Sequence, residues 1–191
     1  MDPNTLNELI AQRRAIYPPV YTDTPITASI ILQLLENANW APTHKRTEPW
    51  RFQVFREAAL SRLADYLAEA YTTITPADRY SDAIREKTRN NILRADTVIV
   101  LILQRDLQER VPEWEEIAAL GAAVQNLWLS ATAFGIGGYW STPGTLSALT
   151  TRLNLPDGQR CMGLFYLGHY DAAPQPGIRG PVADKTVWHL D

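Results

Sequence analysis

The sequence predicts an α+β layered domain, a mixed central β-sheet of about four strands flanked by helices. Apolar residues recur at helical spacing through most of the chain, broken by short strand-like runs. One of these, Val98 to Leu103, is unbroken apolar, as expected of a central strand covered on both faces. The longest helical pattern, Glu113 to Phe134, carries alanines and Gly121 that permit close packing, so it is placed at the centre of the fold.

The elements follow in order. Leu6, Leu9, Ile10 and Arg13 share one helical face, and Pro18-Pro19 ends that segment. Thr27 is the expected N-cap of a second helix, with Ile30, Ile31, Leu34, Leu35 and Ala38 inward. Residues 51–56 alternate as a half-buried strand. Residues 57–71 return to helical spacing through Leu60, Leu63, Ala64 and Leu67. Thr75-Pro76-Ala77-Asp78 has the composition of a helix start: cap, proline at the first position, acid at the third. After the long helix Gly135 is the expected stop. Then come a short strand over 136–141, a short helix over 146–153, a turn at 156–159 and a second buried strand over 161–170. There is no internal repeat or low-complexity linker, so residues 1–191 are expected to form one domain. The segment from Asp171 to Asp191 reads as an extended tail. Its Val182, Val187 and Trp188 are too apolar for a free end, so it is expected to lie on a surface, with a second subunit as one candidate.

Composition narrows the function. At 191 residues and 21.5 kDa the chain can bury a substantial core. A net charge of −3 gives no electrostatic footprint for nucleic acid. A single cysteine, Cys161, excludes an intramolecular disulfide framework. No basic start followed by an apolar run suggests secretion, and no apolar run approaches the ~20 residues of a membrane span. A cytoplasmic protein is the natural expectation.

The stretch from Trp40 to Trp50 is the most informative segment. It holds two tryptophans, a histidine, two basic residues and two prolines within eleven positions. That makes it a poor core builder and a good stiff loop, able to offer flat rings, cations and backbone donors to a planar anionic cofactor. The plainer reading makes Trp40 and Trp50 core residues at the ends of their elements and His44 and Lys45 solvated loop residues. Arg13-Arg14 has two readings as well. The cations complement a helix C-terminus, worth ~0.3–1 kcal/mol each, or they clamp a phosphate through forked contacts. Tyr139-Trp140-Ser141-Thr142-Pro143 is either a strand end with its exit loop or a wall beside a ring system.

Other chemistries lack their motifs. There is no P-loop, and Gly135-Ile-Gly137-Gly138 follows a helix and precedes a strand, the reverse of a dinucleotide loop. His44, His169 and His189 are scattered without metal-ligand spacing, so no metal site is expected. No nucleophile elbow is present, and Cys161 reads as core. If the chain is an enzyme, a cofactor carries the hard chemistry.

The combination of Arg13-Arg14, Trp40-Ala-Pro-Thr-His44-Lys45 with Glu48-Pro49-Trp50, Val111-Pro-Glu-Trp114, the long helix running into Gly135-Ile-Gly-Gly-Tyr-Trp140, and Gly163-Leu-Phe-Tyr-Leu-Gly168 resembles the nitroreductase family of flavoproteins, in its short branch. The likeness spans nearly the whole chain to about Gly168. It implies a nitroreductase-like fold and a homodimer with FMN at the subunit interface, touching both subunits. It implies an NAD(P)H oxidoreductase that reduces nitro, quinone or related small-molecule acceptors, with NADH or NADPH as electron donor. Carried across by position, Arg13, Arg14 and Ala15 would line the phosphate and ribityl side. Trp40 and His44 would reach the flavin from the partner, and Trp140, Ser141 and Thr142 would lie along the isoalloxazine. Ser130, Ala131, Thr132, Ala133, Phe134 and Gly135 align with a segment assigned to the nicotinamide nucleotide. Lys45 is the cation expected to favour reduced flavin, and Arg179 and Lys185 are candidates for a further phosphate contact. The flavin would do the chemistry, with water able to supply the proton and no catalytic side chain required. Two departures stand out: Ala15 replaces the family's usual serine, and Ser141 replaces an arginine common in the branch. Alternatives are a flavin enzyme that oxidises or fragments its substrate, a non-catalytic flavin- or ligand-binding module, and a helical interaction protein with core tryptophans.

Overall fold

A computed structural model describes residues 2–173 and 175–190. The helices are α1 (Pro3–Gln12), α2 (Ala28–Asn39), α3 (Ala58–Ile74), α4 (Asp82–Leu93), α5 (Glu113–Ala133) and α6 (Leu146–Arg152), and the strands are β1 (Trp50–Arg56), β2 (Thr97–Gln104), β3 (Ile136–Ser141) and β4 (Gln159–His169). The strands form one sheet in the order β1-β2-β4-β3.

β2 shows why both faces are covered. Ile99, Leu101 and Leu103 point into a core shared with α2 and α5, while Val98, Val100 and Ile102 point into a second core shared with α3, α4 and α6. A strand with alternating faces buried on both sides must be apolar throughout, and this run is. Thr27 caps α2 as expected, its side chain accepting from the Ile30 N–H. Gly135, at φ 68°, follows the end of α5 and donates its N–H to Thr132.

Two expectations are corrected in detail. The sheet is antiparallel at every strand pair rather than mixed; among the described residues the one parallel pairing outside the strands is the isolated Ala15–Gly138 bridge. Strand direction follows from the paths of the connections, and local hydrophobic periodicity does not encode it. The helix start read at Thr75-Pro76 is a turn closed by Arg79 N–H to the Pro76 carbonyl. Helix α4 begins only at Asp82, and the Tyr71 hydroxyl holds the preceding Ser81 N–H at 3.2 Å.

β4 carries a close approach that only glycine allows. Gly163 has φ 151°, and a Cβ there would lie 2.0 Å from Trp140 Nε1. The indole occupies that space and donates to the Met162 carbonyl at 3.1 Å. Gly163→Ala is therefore expected to cost ~2–4 kcal/mol, combining backbone strain with overpacking. Urea unfolding of the two proteins, with tryptophan emission as the probe, measures it.

Candidate functional site

Helix α1 buries none of its side chains, and Arg13 caps its C-terminus. The chain then runs beside the edge of β3: Ile16 N–H donates to the Gly138 carbonyl at 3.1 Å, and Trp128 Nε1 on α5 donates to the Arg14 carbonyl at 3.2 Å. These bonds fix the backbone from Arg13 to Ile16. The Arg13 guanidinium lies 4.3 Å from the centre of the Trp128 ring, and its Nε is buried with no partner. Burial lowers the Arg13 pKa, and the neighbouring Arg179 and Arg14 lower it further. Arg14 donates through Nε to the Gln175 carbonyl at 3.0 Å and through Nη1 to the Arg13 carbonyl at 2.7 Å. Gly177 passes so close that a Cβ would sit 2.5 Å from the Arg14 guanidinium carbon.

Arg13 and Arg14 thus lie together, with Arg179 near enough to lower the Arg13 pKa, and among the described residues none of them is paired with a carboxylate. Like charges gathered at a partly buried orphan donor are unfavourable alone and favourable around an anion. A phosphate group fits this cluster. The tail closes over it through Gln175, Gly177 and Arg179, whereas Lys185 is turned to the Gly180 and Pro181 carbonyls, both at 3.1 Å.

Ala15 pairs with Gly138, and three residues further along β3, about 10 Å at strand rise, the chain reaches Ser141. Trp140 packs its ring on Gly163, as described. Ser141 is half-buried and Thr142 exposed where β3 leaves the sheet.

The loop after α2 is stiff and strained. Lys45, Arg46 and Glu48 hold φ of 51°, 56° and 44°, a region side-chain-bearing residues rarely enter. Thr43 Oγ1 accepts from the Glu48 N–H at 3.2 Å, and Lys45 Nζ is tied to the Arg110 carbonyl at 3.0 Å. His44 Nδ1 lies 2.6 Å from Glu115 Oε2 on α5. Beside that pair a cavity of about 470 Å³ is lined by Pro42, Thr43, Trp114, Glu115, Ala118 and Ala122. Trp40 goes elsewhere. Its Nε1 bonds Glu36 at 3.1 Å, and its ring, 78% exposed, borders a groove with Leu6, Leu9, Leu129 and Phe134. Trp50 is core, with Nε1 on Asn39.

Within one chain these groups do not all meet. Arg13 rests on Trp128 and His44 on Glu115, thirteen residues apart on α5, or about 20 Å at helical rise.

The segment Ser130–Gly135 is largely engaged within the fold. Ser130 donates to the Asn126 carbonyl and accepts from Asn37, Ala131 is fully buried, and Thr132 Oγ1 bonds the Trp128 carbonyl. Thr132 also borders a cavity with Arg14, Tyr170 and Gln175, while Ala133 and Phe134 face the Trp40 groove and Gly135 is exposed. Sequence reading missed Glu115 and Trp128. Both are ordinary members of a helical pattern, and their roles arise only through residues 71 and 115 positions earlier in the chain.

The segment leading into α5 is stapled by Arg110 and Asp106. Arg110 holds the Asp106 carboxyl at a pKa of about 2, chiefly through a side-chain hydrogen bond. A carboxyl with a lowered folded pKa stabilises fully above its unfolded value of ~3.9 and loses that effect as pH falls toward 2. Asp106→Asn should therefore lower stability at pH 7, and its gap from the parent should close between about pH 4 and pH 2. Denaturant midpoints across that range test the sign.

The guanidinium cluster at the β3 edge has the chemistry to receive an anionic group, and the cavity at the start of α5 is a separate, mostly apolar surface. The family follows from comparison: the chain belongs to the nitroreductase family, whose model matches residues 10–169. It is 29% identical over 185 residues to the Bacillus subtilis (strain 168) protein named "Putative NAD(P)H nitroreductase YfhC", covering 95% of this chain and 93% of that one. Its fold matches the crystal structure of a nitroreductase-like family protein from Bacillus cereus with a TM-score of 0.82, at 25% identity, covering 97% and 96% of the two chains. It also matches a chain from Desulfovibrio desulfuricans solved in complex with FMN, with a TM-score of 0.73 and 25% identity over 100% and 99%.

Proposed function

We propose that this chain is an FMN-dependent NAD(P)H oxidoreductase that reduces nitro, quinone or related small-molecule acceptors, working as a homodimer with shared sites. The observation that carries the reading is the Arg13–Arg14 pair, joined electrostatically by Arg179, without a carboxylate partner among the described residues and beside the strand that leads to Trp140-Ser141-Thr142. Arg13, Arg14 and Arg179 would hold the phosphate. The backbone of Ala15 would follow the ribityl chain, and residues 140–142 would flank the ring system. Bound FMN supplies two-electron transfer between nicotinamide and acceptor. The serine hydroxyl absent at Ala15 is offset by a backbone already pinned to β3.

Several features support the dimer. His44 and Arg13 sit about 20 Å apart along α5, and the family resemblance brings His44 to the flavin of the partner chain. Trp114, Ile117 and Phe134 on and beside α5, with Leu6 and Ile10 on α1, are exposed. So are Ile178, Val182, Val187 and Trp188 of the tail, which we assign to the partner's surface. No helix among the described residues is long and apolar enough to cross a membrane, and we place the enzyme in the cytoplasm. Denaturing the purified protein and chromatographing the released chromophore tests the reading. One FMN per chain is expected, together with NAD(P)H-dependent turnover of nitrobenzene or a quinone. FAD, or no flavin after reconstitution, contradicts it.

A further inference from the structure

The cavity beside His44 has one ionisable pair, His44 and Glu115, in a wall otherwise formed by Pro42, Thr43, Trp114 and three alanines. Glu115 lies in the first turn of the 21-residue α5, where the helix dipole favours a carboxylate. The other acids around it are committed: Glu113 pairs with Arg160, Glu116 with Arg105, and Asp106 with Arg110. The nearby cations Lys45 and Arg46 lie on the His44 loop itself, and Lys45 is tied to a carbonyl. Glu115 is left to His44.

A carboxylate accepts, so His44 must donate from Nδ1, which fixes the proton there and leaves Nε2 as the second ring nitrogen. Nε2 has no partner among the described residues. Three positive-φ residues follow His44 and hold its loop in a costly conformation, while the ring itself is held through Nδ1. Pro42, Ala118, Ala122 and Trp114 complete a wall suited to an aromatic acceptor.

We propose that Glu115 is a positioning residue that fixes His44, and that His44 Nε2 delivers the proton consumed when the acceptor is reduced. The inference rests on the flavin reading above. For a nitroarene, the flavin, when bound and reduced, would supply a hydride, that is two electrons and one proton. Imidazolium His44 supplies the second proton to a nitro oxygen, the N–O bond breaks, and nitrosoarene and water leave. Neutral His44, still bonded to Glu115 through Nδ1–H, is reprotonated from solvent.

Two measurements test this, with Glu115→Gln and Glu115→Asp beside the parent. In the first, NADPH-reduced holoenzyme is mixed anaerobically with nitrobenzene or with ferricyanide, which accepts electrons and no proton. The ratio of the nitrobenzene to the ferricyanide rate should fall roughly 10²-fold in Glu115→Gln, the scale of general acid catalysis, and recover in part in Glu115→Asp. An unchanged ratio overturns the proposal. The second uses flavin-free protein and ¹⁵N-imidazole NMR. His44 should carry its neutral-form proton on Nδ1 in the parent and lose that preference in Glu115→Gln. An Nε2-protonated parent overturns the positioning role whether or not the chain binds flavin, and an absence of flavin in the parent counts against the function instead.

Discussion

Replacing Arg13 and Arg14 together by alanine should yield a folded protein that has lost its flavin. Neither guanidinium lies inside the core: Arg13 rests on the Trp128 ring at its margin, a contact worth about 0.5–1 kcal/mol, and Arg14 bonds loop and tail carbonyls. α1 buries nothing, and the Arg13 side chain contributes an orphaned Nε beside two like charges. Removing that repulsion costs the apo fold little, whereas removing two charge-assisted phosphate contacts, worth about 1.5–3 kcal/mol each, weakens binding by roughly 10²–10⁴-fold. Fluorescence titration with FMN measures the loss, and thermal melts of the flavin-free proteins check the fold. Because Arg14 also holds the tail at Gln175, Arg14→Ala alone should free the tail and lower affinity less than the double change. Full FMN occupancy in the double variant would show that the cluster holds something else.

Gly121→Glu should give a folded monomer that binds FMN poorly. Glycine inside a helix costs ~1 kcal/mol relative to better helix formers, and nothing among the described residues explains it here. A Cβ at Gly121 would meet no atom within 4 Å. The isolated chain should therefore gain stability from the substitution. Gly121 lies between the exposed Ala118 and Gln125 on α5, on the face left open by the fold. Small residues there let a second α5 approach closely, and a glutamate would bring two like charges to the crossing. Sedimentation velocity and FMN titration read the two effects. A dimer that survives Gly121→Glu with its flavin would move the interface off this helix.

The fold was legible where local chemistry decides it. Thr27 caps α2, Gly135 terminates α5, and the Val98–Leu103 run lies at the centre of the sheet. It was less legible where chain paths decide. The sheet is antiparallel because of how its connections travel, and the signals at Thr75-Pro76 were overridden when the Tyr71 hydroxyl bonded Ser81. The candidate site divides the same way. Arg13-Arg14 and the Trp40–Trp50 loop stand out by composition. The placement of Arg179 beside Arg13, across 166 positions, and of Glu115 beside His44, across 71, exists only in the folded chain. FMN itself entered through family likeness, since no single motif here specifies a flavin.

The central claim is that flavin is held between two chains. It is tested by sedimentation at nanomolar-scale dilution, followed in the flavin's own visible absorption. The account predicts that flavin sediments only with a species of twice the 21.5 kDa chain mass, at one FMN per chain, and that dissociating the dimer releases it. Flavin travelling with a single chain that still oxidises NADPH would contradict the shared site.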